Sequence, residues 1–149
     1  MTNLRLSGAV IAGIFTNQIT MWNDPRIAAD NPGLTLPATP TVPVVRTDGA
    51  GSTWQLTQWM LATQTSYWSA YCAVVGRNPC TPTSTYPVQP GTAMVSQPAD
   101  TGVAGRLRPG LSAAIIGSFH MLIRLVKMPA MTAPDSRRLV TCWPPMCRL

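Results

Sequence analysis

The sequence predicts an α/β fold, and three observations carry that expectation. A β-rich run, Thr41 to Val45, is flanked on both sides by stretches whose apolar residues fall at helical spacing. The run ends at Arg46 and passes through a glycine-bearing loop, RTDGAGST, into a helical pattern that begins at Trp54, which gives the local order strand, Gly loop, helix N-terminus. The chain has 149 residues, 46% hydrophobic and 11% charged, so it can bury a core and is neither a disordered tail nor a membrane bundle.

Taken in order, Leu4 to Phe15 carries apolar residues at Val10, Ile11, Ile14 and Phe15, with Ser7 placed as N-cap. Asn23-Asp24-Pro25 predicts a second, short helix, with Asp24 capping and Pro25 at the first helical position; it ends near Asn31-Pro32-Gly33. Leu34 to Pro40 is a proline-punctuated connection. In the strand after it, Pro43 predicts an edge strand or a strand start, because proline lacks the N–H of a ladder bond. Trp54 to Leu61 is helical, with Ser52 or Thr53 as its N-cap, and Ser66 is placed to cap a further helix that Gly76 stops. Asn78 to Gly91, rich in Pro and Thr, is a loop, and Asp100 to Gly105 opens another helix. Leu111 to Val126 is compatible with an amphipathic helix, and Pro129, Pro134, Pro144 and Pro145 break up the rest of the tail.

Charge divides the chain. Residues 1–105 hold Arg5, Arg26, Arg46 and Arg77 against Asp24, Asp30, Asp48 and Asp100, whereas residues 106–149 hold seven basic residues against Asp135 alone and account for the whole net charge of +6. Four of the eight Met and two of the four Cys also fall in this tail. Such a break marks a boundary between a domain at 3–105 and a divergent tail at 106–149, frame-shifted or disordered. It does not describe a nucleic-acid-binding face. The longest apolar runs, such as Ala9 to Phe15, fall far short of the roughly 20 residues of a membrane span.

Glutamate is absent, which leaves five Asp and the lone His120 for any acid–base chemistry. His120 has no carboxylate near it in sequence, so no catalytic residue is assigned. Cys72 and Cys80 flank a turn containing Gly76, Asn78 and Pro79; a local disulfide and two free thiols both remain open. Cys142 and Cys147 lack zinc-site spacing, and no metal or cofactor is expected. The start, Met1-Thr2-Asn3-Leu4-Arg5, has no signal-peptide pattern, and as written the chain would stay in the cytoplasm.

Residues 46–53 converge on an oxyanion. A helix N-terminus exposes unpaired N–H groups and partial positive charge. Gly49 and Gly51 let a backbone approach a ligand. Arg46 offers a planar fork of donors, and Ser52 and Thr53 add hydroxyls. Asp48, unsuited to face a dianion, is expected to orient Arg46. The loop is not a P-loop, because no Lys precedes Ser52 in a GK[ST] pattern.

The segment LSGAVIAGIFTNQITMWNDPRIAADNPG, Leu6 to Gly33, followed by VVRTDGAGST, resembles the periplasmic-type phosphate-binding proteins that feed phosphate ABC transporters. In that family an IF-x3-IT-x-WNDP core precedes an RSDGSGTT-like loop by about this distance. The likeness covers residues 3–105. It implies one partial lobe of a type-II periplasmic binding protein, followed by an unassigned basic tail. It further implies inorganic phosphate as ligand, an ABC-transporter permease as partner in intact relatives, no enzymatic activity, and an extracytoplasmic location. Carried over by position, Arg46 contacts phosphate oxygens, Asp48 pairs with Arg46, Gly51 donates an N–H, and Ser52 donates N–H and hydroxyl. Ala50 stands where the family usually has a serine, a lost donor worth about 1.5–3 kcal/mol, or roughly ten- to a hundredfold in affinity, with its backbone N–H left as a remaining donor. Thr47 is a milder change from serine.

The resemblance also implies a first lobe ahead of Met1 and a closing strand after Arg106, where the tail GRLRPGLSAAIIGSFHMLIRLVK finds no counterpart. A Glu-free, Arg- and Met-rich tail is the expected product of a reading-frame shift in a GC-rich gene. Two other readings stand beside phosphate binding: a truncated remnant without ligand affinity, and a phosphate-ester hydrolase using Ser52 or Thr53 with the distant His120.

Overall fold

A computed structural model of the chain describes residues 4–106 and the backbone of two further strands at 112–116 and 122–123. His120, Cys142, Cys147 and most of the basic tail lie outside the described residues.

Helix α1, Gly8–Phe15, starts where Ser7 predicts: the Ser7 hydroxyl accepts the Val10 N–H at 3.4 Å. Helix α2, Pro25–Asp30, starts at the Asp24 cap, whose carboxylate accepts the Arg26 N–H at 2.9 Å. The two helices are tied together by polar groups at their ends. The Ser7 N–H donates to Asp30 Oδ2 at 2.6 Å, and Asn31 exchanges two 2.7 Å bonds with the Arg5 backbone.

Strand β1, Val42–Arg46, is followed by helices α3, Gly51–Thr63, and α4, Thr65–Val74. Strand β2, Val95–Gln97, helix α5, Ala99–Arg106, and strands β3, Ser112–Ile116, and β4, Leu122–Ile123, complete the order. The sheet runs β2-β1-β3-β4. Strand β1 is parallel to both neighbours, with Arg46 opposite Gln97 and Val44 opposite Ala114, and β4 closes antiparallel on β3. Helix α5 packs on β1, β2 and β3. The fold is α/β with a mainly parallel sheet, as the sequence predicts.

Four expectations need correction. First, β1 is an interior strand and not an edge; Pro43 sits at its start, the other placement the sequence allows. The Thr47 N–H donates to the Gln97 carbonyl, so by strand alternation the odd-numbered residues turn their polar groups toward β2. Pairing with β2 begins only at Val44, so the N–H that Pro43 lacks would have no ladder partner. Second, part of the stretch compatible with an amphipathic helix over 111–126 is strand instead, and a strand does follow Arg106: β3 lies parallel beside β1. A short, continuous apolar run ending in paired Ile suits a parallel strand, and the presence of a parallel neighbour decides for it. Third, α3 begins at Gly51, so Ala50 is the N-cap and Ser52 and Thr53 lie inside the first turn. Fourth, α4 begins at Thr65 rather than after Ser66, with no side-chain cap.

The core has two parts that share α1. Val10 and Ile14 pack with Ile19, Trp22 and Ile27, while Ile11, Ala12 and Phe15 join Val45, Leu56, Met60 and an aromatic group of Trp68, Tyr71 and Tyr86. A helix buried on both sides needs close approach. At Gly13 an added Cβ would sit 2.8 Å from Ile19 Cδ1, so a larger residue would force the Ile19 side chain to shift. Gly76, at φ +67°, stops the chain after α4, as expected.

Cys72 and Cys80 are joined by a disulfide, with Cα atoms 5.6 Å apart, which settles the question the sequence leaves open. The bond fastens the start of a long strap, residues 78–91, to α4. The strap has no helix or strand of its own and is held by specific bonds. The Thr57 hydroxyl accepts the Thr83 N–H at 2.9 Å and lies 3.0 Å from the Thr83 carbonyl. The Tyr86 hydroxyl donates to the Phe15 carbonyl at 2.6 Å, and that of Tyr71 to the Pro87 carbonyl at 2.6 Å.

Candidate functional site

The RTDGAGST loop leaves β1 at the C-terminal edge of the parallel sheet, the edge at which open α/β folds place their ligands. Its base is pinned by the Thr47–Gln97 bond of 3.0 Å, and its far end by the Ala50 N–H, which donates to the Ser84 carbonyl at 2.9 Å. Ala50 is extended, at φ −137° and ψ 140°, and makes no side-chain capping bond. The first turn of α3 therefore presents the N–H groups of Gly51, Ser52 and Thr53, which a helix cannot pair within itself.

Arg46 and Ser52 line one small depression together with Val45, Thr53, Leu56 and Tyr86. Val45, Thr53, Leu56 and Tyr86 are buried there, whereas Arg46 and Ser52 are partly exposed. A charge–anion contact beside such apolar surface is screened less than it would be in open water. Ala50 and Asp48 do not line this depression. Moreover, the Ala50 N–H, counted as a remaining donor on the sequence, is spent on Ser84.

Asp48 pairs with Arg46 as expected. The guanidinium donates from Nε to Asp48 Oδ1 at 3.1 Å and from Nη2 to Oδ2, a two-pronged arrangement that fixes its plane. Asp48 also accepts the Ala99 N–H at 2.9 Å. These bonds, the Arg46 pair foremost and the Ala99 amide next, hold the Asp48 carboxyl well below the usual carboxylate range. The same pairing, with Asp48 as its main partner, raises Arg46 further above its ordinary value.

Three contributors escape the sequence reading. Asp100 accepts from Arg46 Nη1 at 2.9 Å across 54 positions of chain. Ser84 holds the loop by its carbonyl, and Tyr86 forms part of the depression's wall. Asp100 is legible in sequence only as a residue near a helix start, and nothing in the proline-rich strap marks Ser84 or Tyr86. Bringing them to the loop takes the β1–β2 pairing and the disulfide.

A PBP superfamily domain matches residues 2–115 of the chain. The chain belongs to the PBP superfamily. The match runs through β3, the strand beside β1. Among curated relatives of this superfamily member, the phosphate-binding protein PstS of Pasteurella multocida is 42% identical over 64 residues, which cover 43% of this chain and 19% of that protein. The phosphate-binding protein PstS of Xylella fastidiosa is 44% identical over 57 residues, 38% of this chain and 16% of that one. The phosphate-binding protein PstS 2 of Mycobacterium tuberculosis is 44% identical over 52 residues, 35% of this chain and 14% of that one. The matched segment thus spans less than a fifth of each of these relatives. Among the described residues, no helix is long and apolar enough to cross a membrane.

Proposed function

We propose that this PBP-superfamily chain binds inorganic phosphate as part of the substrate-binding component of a phosphate ABC importer, without enzymatic activity. The observation that supports this reading best is that Arg46 and Ser52, the latter in the first turn of α3, line one depression. In this reading Arg46 grips phosphate oxygens, Asp48 holds Arg46 in plane, and Gly51 and Ser52 donate backbone N–H groups, with the Ser52 hydroxyl as a further donor. Ala50 takes part only as the N-cap position, since its N–H goes to Ser84. The names of the relatives, all phosphate-binding proteins, support the ligand. The Cys72–Cys80 disulfide supports an oxidising, extracytoplasmic location. A membrane permease is the partner that the importer reading requires.

A hydrolase reading has little support. Ser52 has no histidine among the described residues to take its proton, and Asp48 and Asp100 are both engaged by Arg46.

Isothermal titration of the chain with phosphate, beside Arg46→Ala and Ser52→Ala, tests the reading. Saturable binding that both substitutions abolish is the expected result. Absence of any saturable signal would favour the alternative of a remnant without ligand affinity.

A further inference from the structure

Asp100 answers to a need that the loop does not have. Arg46 is already oriented: Asp48 takes Nε and Nη2 together, and the Ala99 N–H fixes Asp48 in turn. The contact from Nη1 to Asp100 adds no plane and no direction to the guanidinium; it only occupies one more N–H, the third of five to be engaged. It also reverses the charge of the cluster. One arginine and two carboxylates carry a net charge of −1 at the place where an anion is to bind. Both carboxylates are more than 40% exposed, so the Arg46–Asp100 bridge lies in well-screened surroundings and opens readily.

We propose that Asp100 is an internal stand-in for the ligand, a carboxylate that competes with the bound oxyanion for Arg46 Nη1 and so sets the affinity of the site. The inference rests on the reading of the loop as an anion site. A carboxylate oxygen and a phosphate oxygen ask the same thing of a guanidinium N–H, and one donor proton serves one of them well at a time. On binding, the oxyanion takes Nη1, and Asp100 turns to water in the first turn of α5, where the partial positive charge of the helix N-terminus still favours it. Asp48 keeps its place throughout, because its bonds lie on the opposite side of the guanidinium and on the Ala99 amide. Anion binding and the tie between the loop and α5 are therefore mutually exclusive at this one donor.

Two measurements on the full chain test this. In titrations with inorganic phosphate at low ionic strength, Asp100→Asn and Asp100→Ser are expected to bind roughly five-fold more tightly than the parent, a gain that shrinks as salt is added. Asp48→Asn is expected to bind more weakly. A residue that merely supported the fold would move affinity the other way, so unchanged or weakened binding in both Asp100 variants overturns the proposal. The second measurement needs no ligand. Phenylglyoxal modification of Arg46, followed by peptide mass mapping, should run several-fold faster in Asp100→Asn than in the parent. Equal rates would overturn the stand-in role, whereas faster modification with no phosphate binding in any variant would refute the phosphate reading and, with it, the competition.

Discussion

The backbone N–H of Ala50 donates to the carbonyl of Ser84 at 2.9 Å, and this bond decides what position 50 can contribute. The amide points at the strap, so only a side chain could add a donor there, and alanine has none. Ala50→Ser places a hydroxyl at the N-cap of α3, which now lacks a side-chain cap. The expected gain is about 1 kcal/mol in stability from capping, read as a higher urea midpoint. Phosphate affinity should rise by about tenfold in titration. A stability gain without an affinity gain would place the position 50 side chain outside the ligand's reach.

The strap is held at its centre by one hydroxyl. Thr57 is fully buried, and its Oγ1 accepts the Thr83 N–H. Thr57→Val keeps the shape and removes the acceptor, leaving that partly buried N–H without its partner. A loss of about 1–2 kcal/mol is expected, measured by urea denaturation. Because Ser84 follows Thr83 directly, hydrogen exchange at the Ala50 amide should accelerate in the same variant.

Residues 72 and 80 close a short loop that joins α4 to the strap. Chain-entropy reasoning puts the contribution of a loop this size at about 2–3 kcal/mol. The double variant Cys72→Ser, Cys80→Ser should lose that much in chemical denaturation and become insensitive to added reductant. An unchanged midpoint would show that the strap is held by its hydrogen bonds and Tyr86 alone.

The pH dependence follows from groups shifted in opposite senses. Burial raises Tyr71 from 10.0 to about 12 and pushes Tyr86 well above its ordinary value. A raised folded value means that stability is fully present below the unfolded value of 10.0 and is lost as pH climbs through the folded value. Alkaline unfolding should therefore begin above about pH 10 and coincide with phenolate absorbance. Asp48, lowered by Arg46 and the Ala99 amide, has the opposite sign. Its contribution is present above 3.8, the unshifted value, and drains away as pH falls below it. Asp48→Asn should flatten the acid limb of a stability–pH curve and leave the alkaline limb untouched; Tyr86→Phe should do the reverse.

Local chemistry was legible wherever neighbours in sequence make the contact. Ser7, Asp24 and Pro25 mark helix starts by bonds or ring geometry within three residues, and the Arg46–Asp48 pair spans two. Cap assignment failed at α3 for a definite reason. Ser52 and Thr53 are good cap residues, but the helix begins where the β1–β2 pairing and the Ser84 bond release the backbone, at Gly51. Pro43 marked the strand start correctly but could not tell an edge from an interior strand, because its missing N–H matters only if a neighbouring strand reaches that far.

By itself, the sequence determined the α/β class, the strand–loop–helix order, the superfamily and the oxyanion-suited chemistry of residues 46–53. The class and the element order depend on composition, periodicity and short-range bonding, which a linear chain displays directly, and the superfamily follows from the resemblance of Leu6 to Gly33 and the RTDGAGST loop to known sequences. Tertiary structure alone decided that β1 is interior, that Cys72 meets Cys80 and that the strap takes the Ala50 amide. It also decided that Asp100 meets Arg46 from 54 positions away. Each of these is a long-range contact, or the consequence of one. Which partner a given donor meets follows from the packing of strands and helices against one another, not from its neighbours along the chain.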